Sequence, residues 1–153
     1  MSKIYPSAQP PIGMPVEADI YHEGEVLKAS TTPGRLAKSG TKGDVIIGIV
    51  DQDTLTAKGD AKTVAAGFKL GVWRLGSGGD RVIWVKSIAG QTYGPNAKIY
   101  ASDTPGQVTA TPDTSRPVGT YPEWMTAQTT AVAGELIPCV LDVPVGAATV
   151  AGG

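Results

Sequence analysis

The chain has 153 residues, 41% apolar and 18% charged, which reads as a globular chain with room for one domain and an appended arm rather than two full domains. Its 20 glycines and 12 prolines interrupt the sequence too often for long helices. The net charge of −1, without runs of like charge, speaks against a nucleic-acid or anionic-membrane surface, and a single cysteine excludes an intrachain disulfide or a thiolate zinc site.

The first 15 residues carry Pro6, Pro10, Pro11 and Pro15, which remove backbone donors and fix φ, so an extended N-terminal arm is expected over 1–15. Met1 to Pro6 lacks the apolar stretch of a signal peptide, and no segment approaches the ~18 apolar residues of a membrane span, so the expected product is soluble and made in the cytoplasm. Ile4, Tyr5, Ile12, Met14 and Val16 are large apolar residues for a solvated tail. Two readings stand: a frayed terminus, or an arm that docks onto a neighbouring surface.

Residues 16–145 read as a single β domain, followed by a Gly/Ala-rich tail over 146–153. Strand-length apolar runs occur at 25–29, 44–50, 62–66, 69–75, 81–86 and 97–101, then at 107–111, 117–121, 129–133 and 135–143. Gly76 to Asp80 is the clearest loop, Asp51 to Ala61 a polar connection, and Pro122 to Gln128 could hold one helical turn. The pattern predicts an all-β fold, a compact barrel or sandwich of about ten short strands.

The chain also matches itself. Ala29-Ser30-Thr31-Thr32-Pro33-Gly34-Arg35-Leu36 aligns with Ala101-Ser102-Asp103-Thr104-Pro105-Gly106-Gln107-Val108, five of the eight positions being identical. The match continues as Ile47-Gly48-Ile49-Val50 against Val118-Gly119-Thr120-Tyr121, and as Thr63 to Gly67 against Thr130 to Gly134. Chance agreement in a Gly- and Ala-rich sequence is the alternative, but the shared order of strand, Thr-Pro-Gly turn, strand, Gly-containing strand and strand predicts pseudo-repeated halves. At Pro33-Gly34 and Pro105-Gly106, proline presets φ and glycine accepts φ > 0, the chemistry of a type II reversal.

Chemistry-bearing groups are few. His22 is the only histidine, Cys139 sits in the apolar run 136–141 and reads as a buried hydrophobe, and Gly76 to Asp80 lacks the lysine of a phosphate-binding loop. Asp51, Asp53, Asp80, Asp103 and Asp113 lie in turn-like stretches where aspartate caps its own backbone. No catalytic residue, cofactor or metal site is therefore assigned. Trp73, Trp84 and Trp124, with Tyr93, Tyr100 and Tyr121, would form a sugar- or base-stacking platform only if they shared an exposed face; Trp73 and Trp84 lie within apolar strands and are expected in the core, and Trp124, flanked by Pro122 and Met125, is the better candidate for an exposed anchor.

The segments Gly24-Glu25-Val26, Val45 to Val50, Ala65-Ala66-Gly67 and Gly71-Val72-Trp73, followed by Gly94 to Tyr100, Gly106 to Thr109 and Pro117-Val118-Gly119, together resemble the small Gly/Ala-rich capsid decoration (cement) proteins of tailed bacterial and archaeal viruses. The resemblance covers about residues 16 to 145 and implies a structural, non-enzymatic virion protein on the outer capsid surface. Its partners would be the major capsid protein and copies of itself, a trimer at local threefold positions, with no nucleic acid and no membrane. Ile4, Tyr5, Pro6, Pro10, Pro11, Ile12, Met14, Val16, Trp124 and Met125 are then the expected capsid or oligomer contacts. The rival is a non-capsid binding module, carbohydrate-recognising or tail-associated, which needs exposed aromatics beside polar groups on one face.

Overall fold

The computed structural model describes residues 11–51, 61–75, 81–112 and 116–141. Among these residues the chain is all-β, with fourteen short strands and no helix. The surplus over the expected number comes from strands of two to four residues, too short to leave a periodic signal.

The first unit contains β1 (Ile12–Pro15), β2 (Asp19–Tyr21), β3 (Val26–Ala29), β4 (Leu36–Lys38), β5 (Ile46–Val50), β6 (Lys62–Val64) and β7 (Lys69–Arg74). Five of them form a sheet in the order β1-β7-β5-β3-β4, and a parallel bridge between Val16 and Leu36 links its two ends; β2 and β6 pair separately. The second unit contains β8 (Val82–Ser87), β9 (Thr92–Tyr93), β10 (Lys98–Ala101), β11 (Val108–Thr109), β12 (Gly119–Thr120), β13 (Gln128–Thr129) and β14 (Glu135–Leu141). Here β8, β14, β12, β10 and β11 close a barrel through the parallel pair β11–β8, and β9 pairs with β13. The two units share one topology, strand for strand.

Local geometry repeats with it. Arg35 N donates to Thr32 O across Pro33-Gly34 (3.3 Å), and Gln107 N donates to Thr104 O across Pro105-Gly106 (3.1 Å). Gly34 and Gly106 have φ of 81° and 73°, the positive values that the turn requires at that position. Ser30 and Ser102 each accept the N–H two residues on, at 3.1 Å in both cases. Gly48 in β5 and Gly119 in β12 are also counterparts: a Cβ on Gly48 would lie 2.6 Å from Trp73 O, and one on Gly119 2.3 Å from Val140 O. Each unit therefore demands glycine at the same crossing, which is why the Ile-Gly and Val-Gly dipeptides recur.

Two cores follow from this plan. Val16, Tyr21, Leu27, Leu36, Val50, Leu70 and Val72 fill the first unit. Their repeat partners Ser87, Tyr93, Ile99, Val108, Tyr121, Ile137 and Cys139 are buried in the second. The cysteine is thus the small buried side chain its apolar surroundings predict. Val26, Ile49 and Trp73 point the other way from the first sheet and join the second core, so the units share apolar packing.

Backbone bonds reinforce the junction: Val26 N donates to Gly106 O (2.9 Å), Gly106 N to Ser39 O (2.7 Å) and Lys86 N to Gly24 O (2.9 Å). Gly24, at φ 83°, has no room for a side chain, since a Cβ there would meet Leu136 and Trp84 O at 2.8 and 2.9 Å.

Three sequence expectations change. Ile12–Pro15, read as the end of the arm, is β1 and pairs antiparallel with β7 of its own chain. Pro11 precedes that strand and Pro15 is its last residue, so neither interrupts it. The run 129–133 is mainly turn, with the strand one residue earlier at Gln128–Thr129. Pro122 to Gln128 holds a turn closed by Met125 N donating to Pro122 O (3.3 Å), without a helix. The loops at 76–80 and 52–60 lie outside the described residues.

Candidate functional site

Two surface grooves occupy repeat-equivalent places, where β5 or β12 leaves the sheet beside β7 or β14. The first, of about 190 Å³, is lined by Glu23, Val50, Asp51 and Trp73 on one side and by Arg81 and Trp84 on the other. The second, of about 170 Å³, is lined by Asn96, Tyr121, Pro122, Glu123, Trp124 and Val140. Equivalent hydrogen bonds establish the correspondence: Gly24 N donates to Val50 O (3.0 Å), and Asn96 N donates to Tyr121 O (3.1 Å).

The first groove is charged and internally braced. Trp73 Nε1 donates to the buried Asp51 carboxylate at 3.0 Å, and the Arg81 guanidinium lies 4.9 Å from the centre of the Trp73 ring. Trp84 stands on its rim, 46% exposed. This corrects the expectation that Trp84 is a core residue. Along β8, Ile83, Val85 and Ser87 face inwards, so Trp84 and Lys86 face outwards.

The second groove is mainly apolar. Trp124 is 64% exposed at its edge, while Tyr121 is buried beneath it, its hydroxyl donating to Thr126 O at 2.6 Å. Tyr121 stacks on Tyr93 with ring centres 6.2 Å apart, and burial pushes both phenols above their ordinary value, Tyr93 to about 12. These two rings are core, not a stacking platform.

Of the predicted contact residues, Ile4, Tyr5, Pro6 and Pro10 lie outside the described residues. Ile12 is exposed on β1 and Pro11 is half-buried. Met14 packs against the first core and Val16 is fully buried within it, so Val16 offers no surface to a partner in this fold. Trp124 and Met125 fall together on the second-groove turn, Trp124 outwards and Met125 packed against the core. Sequence reasoning missed Trp84, although Lys86 two positions along the same strand marks that face as outward.

The other singled-out groups sit in local networks. His22 Nδ1 lies 3.5 Å from Glu25 Oε1, and the buried Glu25 carboxylate also pairs with Lys38 Nζ at 3.2 Å. Asp103 accepts the Lys42 N–H at 2.8 Å, a bond to a distant turn in place of the expected cap on its own backbone; Asp53, Asp80 and Asp113 are outside the described residues. Glu17 accepts from Ser30 Oγ at 2.9 Å, and this bond, with one from Thr32 and the nearby Arg35, holds its carboxyl below the ordinary value. Among the described residues no group of three His, Cys, Asp or Glu side chains could hold a metal. What the grooves offer is aromatic and apolar surface edged by charge, the chemistry of docking. No known family model matches the chain, and no curated protein is found to match it.

Proposed function

We propose that this chain is a viral capsid decoration protein, binding the outer surface of the mature shell at local threefold positions and cementing neighbouring major capsid subunits. The observation that carries the reading is Trp124, 64% exposed on the turn at the second groove of a body whose two β units share buried packing. An exposed indole on a rigid support is the kind of anchor that concentrates binding energy at an interface. The sequence resemblance supplies the partner. Several such contacts on a homotrimer would add by multivalency, each needing only modest affinity.

In this reading the N-terminal residues extend the grip. An apolar footprint of about 400 Å² per arm contributes on the order of 10 kcal/mol before ordering costs, which remove much of it. Co-sedimentation with shells lacking the protein tests the proposal: the full chain pellets with shells, Trp124→Ala and removal of residues 2–10 each reduce occupancy, and absence of wild-type chain from the pellet refutes it.

One observation favours a second reading, a carbohydrate-recognising or tail-associated virion module. The exposed Trp84 ring adjoins Glu23, Asp51 and Arg81, an aromatic face beside polar groups. Glycan binding lost in Trp84→Ala, without shell binding, would decide for it.

A further inference from the structure

The first groove contains its own template for what the second groove binds. Its outer wall is the stretch Arg81-Val82-Ile83-Trp84, which leads the second unit onto the first. The second groove lies at the equivalent place on the second unit, and among the described residues no stretch supplies that wall. Trp124 is exposed at its edge, and Val140 stands where the first groove has Trp73.

A whole neighbouring body cannot cover it in the manner of the internal junction. Gly24 touches the second unit so closely that a Cβ has no space, and its counterpart is Asn96, an exposed residue with a side chain and φ 67°. The counterpart of Val26, which the junction buries, is Lys98, exposed and bonded to Thr120 Oγ1 at 3.2 Å. Lys86, whose N–H bonds Gly24 O across the junction, has Pro15 as its counterpart, which has no N–H to give. What fits is a single extended segment.

We infer that the second groove receives residues 3–6 of another copy of this chain. Lys3-Ile4-Tyr5 carries the same order of chemistry as Arg81-Val82-Ile83-Trp84, cation, aliphatic, aromatic, with one aliphatic residue fewer. Lys3 is the only charged side chain in the first 16 residues, and the groove it would enter carries Glu123. Residues 3–10 can extend to about 28 Å from the start of β1, enough to leave the body that carries them. Such a contact is heterologous, groove to arm, and closes into a ring when the rotation allows it. This inference deepens the decoration reading and rests on it for the role of the assembly, but its test contains no shell.

Sedimentation equilibrium of the full chain, without capsids, is the experiment. The wild type self-associates; Tyr5→Ala weakens association at least tenfold. Lys3→Glu and Glu123→Lys each weaken it roughly threefold to tenfold, and the double variant recovers most of the loss. Lys3, Tyr5 and Glu123 variants leave the near-ultraviolet spectrum of the folded body unchanged. A wild type monomeric at about 100 μM, or association indifferent to Lys3 and Glu123, overturns the inference whether or not the chain binds shells.

Discussion

Placing a methyl group on Gly119 tests the repeated strand plan most sharply. The Cβ of Gly119→Ala would lie 2.3 Å from Val140 O and 2.4 Å from Cys139 Sγ, on the neighbouring strand β14. Because the obstacle includes backbone, relief requires β12 and β14 to separate by the better part of an ångström, stretching the ladder at Gly119↔Leu141 and Thr120↔Val140. Overpacking of this kind costs typically 1–3 kcal/mol, and the strained ladder puts this substitution at about 3 kcal/mol. Gly48→Ala meets Val72 Cγ1 at 2.4 Å and Trp73 O at 2.6 Å, and should cost as much in the first unit.

Gly34→Ala is the control. Nothing lies within 4 Å of its Cβ, so only the left-handed backbone at φ 81° opposes it, worth about 1–2 kcal/mol. With a urea slope of about 2 kcal/mol per molar, the midpoint falls by about 1.5 M for Gly119→Ala and Gly48→Ala, and by about 0.5–1 M for Gly34→Ala. Equal shifts for Gly119→Ala and Gly34→Ala, or a Gly48→Ala variant as stable as wild type, would refute the claim that both units pack a neighbouring strand over a glycine.

Burial pushes the Tyr21 and Tyr93 phenols up to about 12, Tyr21 with help from Asp19, Glu17 and Glu25. A raised folded pKa means that this stability is fully present below about pH 10 and is lost as pH climbs towards 12, so phenolate absorbance should rise together with unfolding. In acid, burial raises the Asp44 carboxyl but bonds from Gly40 N, Lys28 and Thr41 N outweigh it, leaving it below the ordinary value; Glu17 and Glu135 are lowered too. Their stabilisation holds above about pH 4.5 and drains away below it, and Asp44→Asn should flatten an acid titration of stability. Cys139, fully buried, should react with a thiol reagent only when denaturant opens the second barrel. Glu25→Gln should destabilise by about 2–4 kcal/mol in chemical denaturation, because it leaves the Lys38 ammonium facing a neutral amide at a buried junction.

Much of the fold is legible in the chain because its turns are chemically specific. Thr-Pro-Gly at 32–34 and 104–106 marks both units, and the recurring glycines at 48 and 119 mark the two crossings. The shortest strands are not legible: Tyr21 and Tyr93 end strands of three and two residues, whose pairing is set by the sheet and the barrel around them. β1 is hidden by its flanking prolines, although the strand β8 in the second unit occupies the equivalent place. The exposed side of Trp84 follows from alternation with Lys86, a signal that hydrophobicity of the run overrides. The second groove needs the fold itself, since Asn96, Tyr121 and Val140 come from separate turns and strands.

Imaging of purified shells, stripped of this chain and then mixed with it, tests the decoration proposal most directly. Ordered density is expected over the local threefold positions, with the Trp124 turn of each copy against the shell or a neighbouring copy. Bare threefold positions under saturating protein would contradict it.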